Sequence, residues 1–308
     1  MSRTSRLSRR AFVSACAGLT TLGPANAATP SFEFVDLDVG ADKRLARRCR
    51  VVFPAGAPDA SLPVLVLLHG LGETKSERLG IEAWWTPYGM ADALARLRAG
   101  TVRRPGEKIL SEEETRELES SLAQDGFAGM VLVCPYMPNP HTFPGGSGAM
   151  FARYVQWLRD AVLPAVRERV PSAVRSREGT GMAGVSLGGF AALELARRAP
   201  ETFSTVATVQ GAFSAASAPT YARHLAELES PALRGVYVST SWYDPYRVAN
   251  ERLYEALVQR GVRSRFSLRR GPHSQGWLRE IGTLELLLWH DRALRTKLEA
   301  GAIRTPKP

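Results

Sequence analysis

Cysteine is nearly absent from this chain, with three in 308 residues. That is too few for a small disulfide-stapled scaffold. Neither Cys49 nor Cys134 has neighbours suited to a thiol nucleophile or a metal site. No run of eighteen apolar residues occurs, so no segment reads as a membrane-spanning helix. Internal repeats and low-complexity tracts are lacking too, which sets aside solenoids and arrays. Residues 1–27 contain no acidic side chain, although the whole chain carries 30. What is present is ordinary for a globular protein, 44% apolar and 23% charged, and the length suits one large domain with a well-buried core. The formal net charge is +10, but the arginines are scattered over helix faces and not clustered with aromatics, so no nucleic-acid partner is expected.

Arg3, Arg6, Arg9 and Arg10 supply four of those charges, leaving a net charge near +6 for the rest. Ser8-Arg9-Arg10-Ala11-Phe12-Val13 resembles a twin-arginine pattern, a modest apolar stretch spans residues 11–22, and Ala25-Asn26-Ala27 fits the small-x-small cleavage rule. Residues 1–27 are therefore expected to be an export signal and residues 28–308 a single domain, acting in the periplasm or outside the cell. A general secretory signal and a basic tail on a cytosolic protein are the competing readings. A lipoprotein box at Cys16 is set aside because too few apolar residues separate it from Arg10. In an oxidising compartment Cys49 and Cys134 could pair or stay as two buried thiols, and both readings stand.

Apolar runs and turn residues alternate along the rest. Residues 31–39 and 45–53 read as an opening β-ribbon. Residues 63–68 and 130–134 are continuous apolar runs, as expected of strands buried on both faces. Further strands are expected over 203–209, 235–240 and 263–268, with helices over 149–170, 221–229, 248–260 and 276–298. Pro164 should break or kink the first of these helices. Strands alternating with helices predict an α/β fold, a mostly parallel central sheet with helices on both faces. Residues 73–128 are less regular; Ser111-Glu112-Glu113-Glu114 looks like a capping box. This stretch is expected to be an insertion near a pocket mouth, with the role of a lid.

The most informative segment is Gly184-Val185-Ser186-Leu187-Gly188-Gly189. A serine between glycines at a strand-to-helix turn stands clear of the sheet, because a tight turn needs residues without bulk two before and two after it. A serine hydroxyl is a poor nucleophile unless a base takes its proton. The base and its orienting acid should follow in the order acid, then histidine. His273 lies in the loop past the last strand, whereas His224 and His290 fall within helices. Asp244 lies in the Pro-containing loop after the penultimate strand, where it would orient the imidazole. Backbone donors for a developing oxyanion are expected at Leu187 and, from the His69-Gly70-Leu71-Gly72 loop, at Leu71. His69 itself reads as a structural hydrogen-bonder. Trp84, Trp85, Tyr136 and Trp242 are candidates for an aromatic substrate pocket. No cofactor and no metal are expected.

Together these stretches resemble the putative-esterase branch of the α/β-hydrolases, which includes esterase D (S-formylglutathione hydrolase), feruloyl and acetylxylan esterases, enterochelin esterase and the mycolyltransferases. The matching segments are residues 64–72 (VLVLLHGLG), 181–200 (GMAGVSLGGFAALELARRAP), 203–213 (FSTVATVQGAF), 237–245 (YVSTSWYDP) and 271–279 (GPHSQGWLR). The resemblance implies an α/β-hydrolase fold, with the second strand antiparallel beside the fourth. It implies a Ser186, Asp244 and His273 triad cleaving small carboxylic esters through an acyl-enzyme. A transferase using an acceptor other than water, or an inactive secreted binding protein, are the alternatives. The sequence departs from the family at Gly271-Pro272-His273, where a second glycine commonly precedes the histidine. It also departs at Gln210, which stands for a commoner serine, and over residues 73–128. These departures bear on the substrate.

Overall fold

The structure, a computed structural model, describes residues 32–40, 45–56, 61–104, 106, 109–228 and 233–295. The export signal expected over residues 1–27 lies outside the described residues. The sheet has eight strands: β1 (Phe32–Asp38), β2 (Arg48–Pro54), β3 (Val64–Leu68), β4 (Val131–Pro135), β5 (Thr180–Val185), β6 (Thr205–Val209), β7 (Gly235–Tyr243) and β8 (Ser264–Pro272). Their order is β1-β2-β4-β3-β5-β6-β7-β8. β1 and β2 pair antiparallel, as do β2 and β4, and the six strands from β4 to β8 run parallel. β3 and β4 are buried at every position. Their alternate side chains enter two different cores: Val64, Val66 and Leu68 on one face, Leu65 and Leu67 on the other. That is why these strands read as unbroken apolar runs.

The helices are α1 (Glu77–Glu82), α2 (Met90–Ala99), α3 (Glu112–Gln124), α4 (Gly146–Trp157), α5 (Leu163–Arg169), α6 (Leu187–Ala196), α7 (Ala218–Ala226), α8 (Arg247–Gln259), the single turn α9 (Gln275–Trp277) and α10 (Thr283–Arg295). One face of the sheet is covered by α4 to α8, the other by α2, α3 and α10. α6 is apolar around nearly its whole circumference and almost wholly buried, as a central helix must be. Pro164 was expected to break or kink the helix over 149–170; the chain stays helical through it, with an irregular turn just before it. A π-turn, Leu158–Val162, precedes it, and Leu163 donates to the Leu158 carbonyl instead of one residue closer. Pro164 then falls in the first turn of α5, where its missing N–H is not needed.

The structure bears on two further readings. Residues 73–128 do not form a lid in their described part: Ile81, Trp84, Tyr88, Met90, Leu94, Leu97, Val102, Leu118 and Leu122 are buried. Most of them belong to the core beneath β3 and β4, so α2 and α3 join α10 in one structural layer. The capping box does form: Ser111 Oγ accepts from Glu114 N at 3.1 Å, and Ser111 N donates to Glu114 Oε2 at 2.7 Å. Cys49 and Cys134 are both buried, free thiols. Their strands are neighbours, but Cys49 is opposite Pro135 and Cys134 opposite Arg50. That one-residue offset sends the two side chains into the cores on opposite faces. Burial pushes the Cys49 thiol up to about 12, so it stays protonated.

Candidate active site

Ser186 sits between β5 and α6 with φ 55° and ψ −117°. A positive φ at a non-glycine residue is strained, and about 1–3 kcal/mol of strain is typical of such positions. The turn closes because its flanking glycines carry no side chain. A Cβ on Gly184 would lie 2.1 Å from the Gly188 carbonyl oxygen, and one on Gly188 would lie 2.3 Å from the Leu68 carbonyl oxygen. Two backbone bonds pin the serine in place: its N–H donates to Val209 O at 2.9 Å, and its carbonyl accepts from Ala212 N at 2.9 Å.

Ser186, His273 and Asp244 form one hydrogen-bonded row. His273 Nε2 is 3.0 Å from Ser186 Oγ, and His273 Nδ1 is 2.9 Å from Asp244 Oδ1. The Asp244 side chain is completely buried. Its Oδ2 accepts from Thr240 Oγ1 at 2.6 Å and its Oδ1 from Tyr246 N at 2.9 Å. With Asp244 accepting, Nδ1 carries the ring proton and Nε2 is left to accept from the serine hydroxyl. An imidazole so placed can take up that proton, and the carboxylate can stabilise the imidazolium that forms. The Tyr246 ring stands edge-on to the His273 ring at 5.7 Å.

Four polar residues to which sequence reasoning gave no role in the site hold these loops. Thr240 is a donor to Asp244. Gln210 links the ends of β6, β7 and β8 through Ser239 O, Ser241 Oγ and Pro272 O. Asn250, fully buried on α8, accepts from Gly211 N and donates to Gly211 O and Tyr246 O. Tyr88 accepts from Gly70 N at 3.0 Å; burial first, then the Glu73 charge, hold its phenol well above the usual range, so it stays protonated. Each is a polar residue beside an apolar segment; Gln210 alone carried a further signal, its departure from the family habit.

Gly70 lies against the serine: a Cβ on it would be 3.8 Å from Ser186 Cβ. Leu71 opens a 3-10 turn, Leu71–Lys75, and Leu187 opens α6. First residues of helical turns have N–H groups that no carbonyl of their own turn takes up. Glu73 in this turn accepts from Gln275 Nε2 at 3.1 Å, tying the turn to the His273 loop. His69 is fully buried and bonded on both nitrogens. Nε2 accepts from Met137 N at 2.9 Å, so Nδ1 bears the proton and donates to Gly70 O at 2.9 Å. Burial lowers its pKa and keeps it neutral.

The expected aromatic pocket is not assembled as foreseen. Trp84 has no exposed surface and meets Tyr88 edge-on at 5.2 Å within the core, which removes it from the substrate candidates. Trp85 packs on Phe34 of the edge strand β1 at 5.5 Å, four strands away from β5 in the sheet order, and is removed as well. Tyr136 is half-buried; it stacks on His69, and its hydroxyl donates to Thr74 O at 2.9 Å, bracing the Leu71–Lys75 turn. Trp242 is 51% exposed at the end of β7, with the Arg247 guanidinium over its ring. Among the described residues, no group of His, Cys, Asp and Glu could hold a metal ion, and no helix is long and apolar enough to cross a membrane.

Residues 135–269 match the family described as "Putative esterase". No curated protein sequence matches the chain. Among solved structures it is similar to a ferulic acid esterase, at 17% identity and a TM-score of 0.61, over 86% of this chain and 99% of that one. It is also similar to an S-formylglutathione hydrolase from Staphylococcus aureus, at 14% identity and a TM-score of 0.54, over 85% and 97%. A feruloyl esterase module from Clostridium thermocellum complexed with sinapinate aligns at 14% identity and a TM-score of 0.57, over 92% and 96%. At these identities the shared feature is the fold. With the match to the putative esterases over residues 135–269 and this strand order, the chain has the α/β-hydrolase fold and is an esterase-type hydrolase.

Proposed function

We propose that the chain is a serine carboxylesterase that works through an acyl-enzyme on Ser186. The observation that carries this reading is the row Ser186 Oγ, His273 and Asp244, bonded at 3.0 and 2.9 Å, with the serine held at φ 55°. His273 Nε2 takes the hydroxyl proton as Ser186 Oγ attacks the ester carbonyl carbon. The carbonyl oxygen becomes an oxyanion and accepts from the Leu71 and Leu187 amides. As the tetrahedral species collapses, His273 returns the proton to the leaving alcohol and the acyl group stays on Ser186. Water, deprotonated by His273, then attacks the acyl-enzyme, releasing the acid and restoring the hydroxyl. Asp244 holds the imidazole tautomer throughout.

Ser186→Ala is expected to lower kcat on short p-nitrophenyl esters by about four to six orders of magnitude, as losing a triad nucleophile does. It is also expected to abolish labelling by a fluorophosphonate probe. A variant that hydrolyses these esters at the wild-type rate would overturn the assignment. The aromatic groups on the rim, Trp242 and Tyr246, and the solved neighbours described as feruloyl esterases support testing aryl-acyl esters beside acetyl and butyryl ones. The N-terminal sequence supports an exported site of action; fractionating cells that express the full chain and a chain lacking residues 1–27 tests it.

A further inference from the structure

Gln210 stands directly after β6, the strand between the one that ends at Ser186 and the one that ends near Asp244. Its side chain is 1% exposed, so no substrate reaches it. Three bonds radiate from it. Its backbone N–H donates to Ser239 O at 2.6 Å. Its Nε2 donates to Ser241 Oγ on β7 at 2.7 Å, and to Pro272 O, the peptide carbonyl immediately before His273, at 3.0 Å. The residue before it, Val209, accepts from Ser186 N, and the residue after it, Gly211, is clasped by Asn250. The amide therefore ties the end of β7 to the peptide before His273, and the adjoining backbone bond at Val209 brings in the serine turn.

The position is occupied at a cost. Gln210 has φ 48°, in the left-handed region that glycine or asparagine adopts more easily. Its Oε1 is buried and finds no hydrogen-bond partner among the described residues, a further loss of stability. Ser186 and Gln210 are the two non-glycine residues with positive φ among the described residues. A residue present only to fill space here would be smaller or apolar, and a residue present only to turn the chain would be glycine. The amide donor is the property that glycine, serine or an apolar side chain of similar length could not supply at both Ser241 and Pro272.

We propose that Gln210 is a positioning residue: through the Pro272 carbonyl it fixes the His273 ring against Ser186, and through Ser241 it locks that geometry to the strand that presents Asp244. This rests on the triad reading above. The test compares wild type, Gln210→Met, Gln210→Gly, His273→Ala and the double variants on p-nitrophenyl acetate, with thermal melts of each. Gln210→Met keeps the length and removes the donors; Gln210→Gly also relaxes the backbone and secures a folded variant. Both are expected to lose roughly ten- to a hundredfold in kcat, with KM within about twofold, because small misplacements of a base act on the chemical step. In the His273→Ala background, either substitution should change the residual rate by less than about twofold, since the route it acts through is gone. A folded Gln210→Gly with wild-type kcat would overturn the proposal, as would losses that multiply undiminished on the His273→Ala background. If His273→Ala alone keeps full activity, the triad reading fails first and the proposal with it; if His273→Ala is inactive while Gln210→Gly is fully active, the proposal alone fails.

Discussion

Replacing His290 should flatten the acid limb of the stability curve without touching catalysis. His290 lies on α10, fully buried, with Nδ1 3.2 Å from Thr205 Oγ1 and Nε2 without a partner among the described residues. Its seat is tight: a Cβ on Gly181 would come within 3.2 Å of the ring. Burial depresses its pKa to about 3, against about 6.5 in an unfolded chain. A depressed pKa means that the unfolded chain binds the proton more readily. The stability is therefore complete above pH 6.5 and is lost as the pH falls toward 3. Each pH unit in that window costs about 1.4 kcal/mol, which amounts to about 2 kcal/mol at pH 5 and about 3 kcal/mol at pH 4.

Other groups contribute to the whole-protein curve. Burial raises Asp291 to about 6 despite the Arg295 guanidinium 2.7 Å away; with a raised pKa it adds stability as the pH falls, opposing His290. The buried His69 acts with the same sign as His290. The informative quantity is thus the difference between wild type and His290→Gln, which stays neutral. Urea midpoints measured from pH 8 to 4 should show the variant's curve falling less steeply below pH 6.5, with the gap closing by about 2 kcal/mol between pH 7 and 5. A constant offset due to the altered contact with Thr205 is immaterial. Parallel curves over that range would refute the reasoning, because they would mean that position 290 takes up no proton on unfolding.

The remaining expectations separate packing from chemistry. Trp84→Ala should cost about 3–5 kcal/mol of stability as a core deletion and leave KM of the folded fraction unchanged; a raised KM with an unchanged melting temperature would return Trp84 to the substrate pocket. Thr240→Val removes the hydroxyl that donates to Asp244 Oδ2 at 2.6 Å. A hydrogen bond to a charged group contributes about 1.5–3 kcal/mol, so kcat should fall by about ten- to a hundredfold if that loss is felt in the transition state; a kcat within twofold of wild type would count against it. Adding a reductant should not move the melting temperature, because Cys49 and Cys134 are free and on opposite faces. A drop of several degrees on reduction would show a disulfide.

The residues of the row were legible because this fold announces them with punctuation. Ser186 is framed by glycines whose absent side chains the backbone requires, and Asp244 and His273 follow the ends of the last two strands. The parts that were not legible share one physical cause: a sequence does not state which face of the sheet a segment will cover. Trp84 and Trp85 read equally well as pocket or core, and the packing of α2 and α3 beneath β3 and β4 made them core and edge. The cysteine pair depended on register, where a shift of one residue separates two adjacent thiols by the thickness of a sheet. Gln210 was noticed only as a departure from a family habit. Nothing in its neighbours revealed that its amide would reach β7 and the loop beyond β8.

Strain and specificity are placed in different parts of this site. The two left-handed residues, Ser186 and Gln210, follow adjacent strands and are joined through the Val209 and Ser186 backbone bonds. Beneath them β5 and β6 are buried at every position, so the strained rim rests on a close-packed base that resists relaxation. Exposed groups belong to neighbouring elements: Leu71 on the 3-10 turn that follows Gly70, and Trp242 and Tyr243 at the end of β7, are 51%, 51% and 70% exposed. A substitution there changes what is touched at the mouth without disturbing the bonds that hold the serine, the imidazole and the carboxylate. On the proposed triad reading, exchanges at Leu71, Trp242 and Tyr243 are expected to alter acyl or alcohol preference at nearly constant melting temperature, whereas changes at Gly184, Gly188 or Gln210 are expected to lower kcat, because they act on the bonds that hold the row.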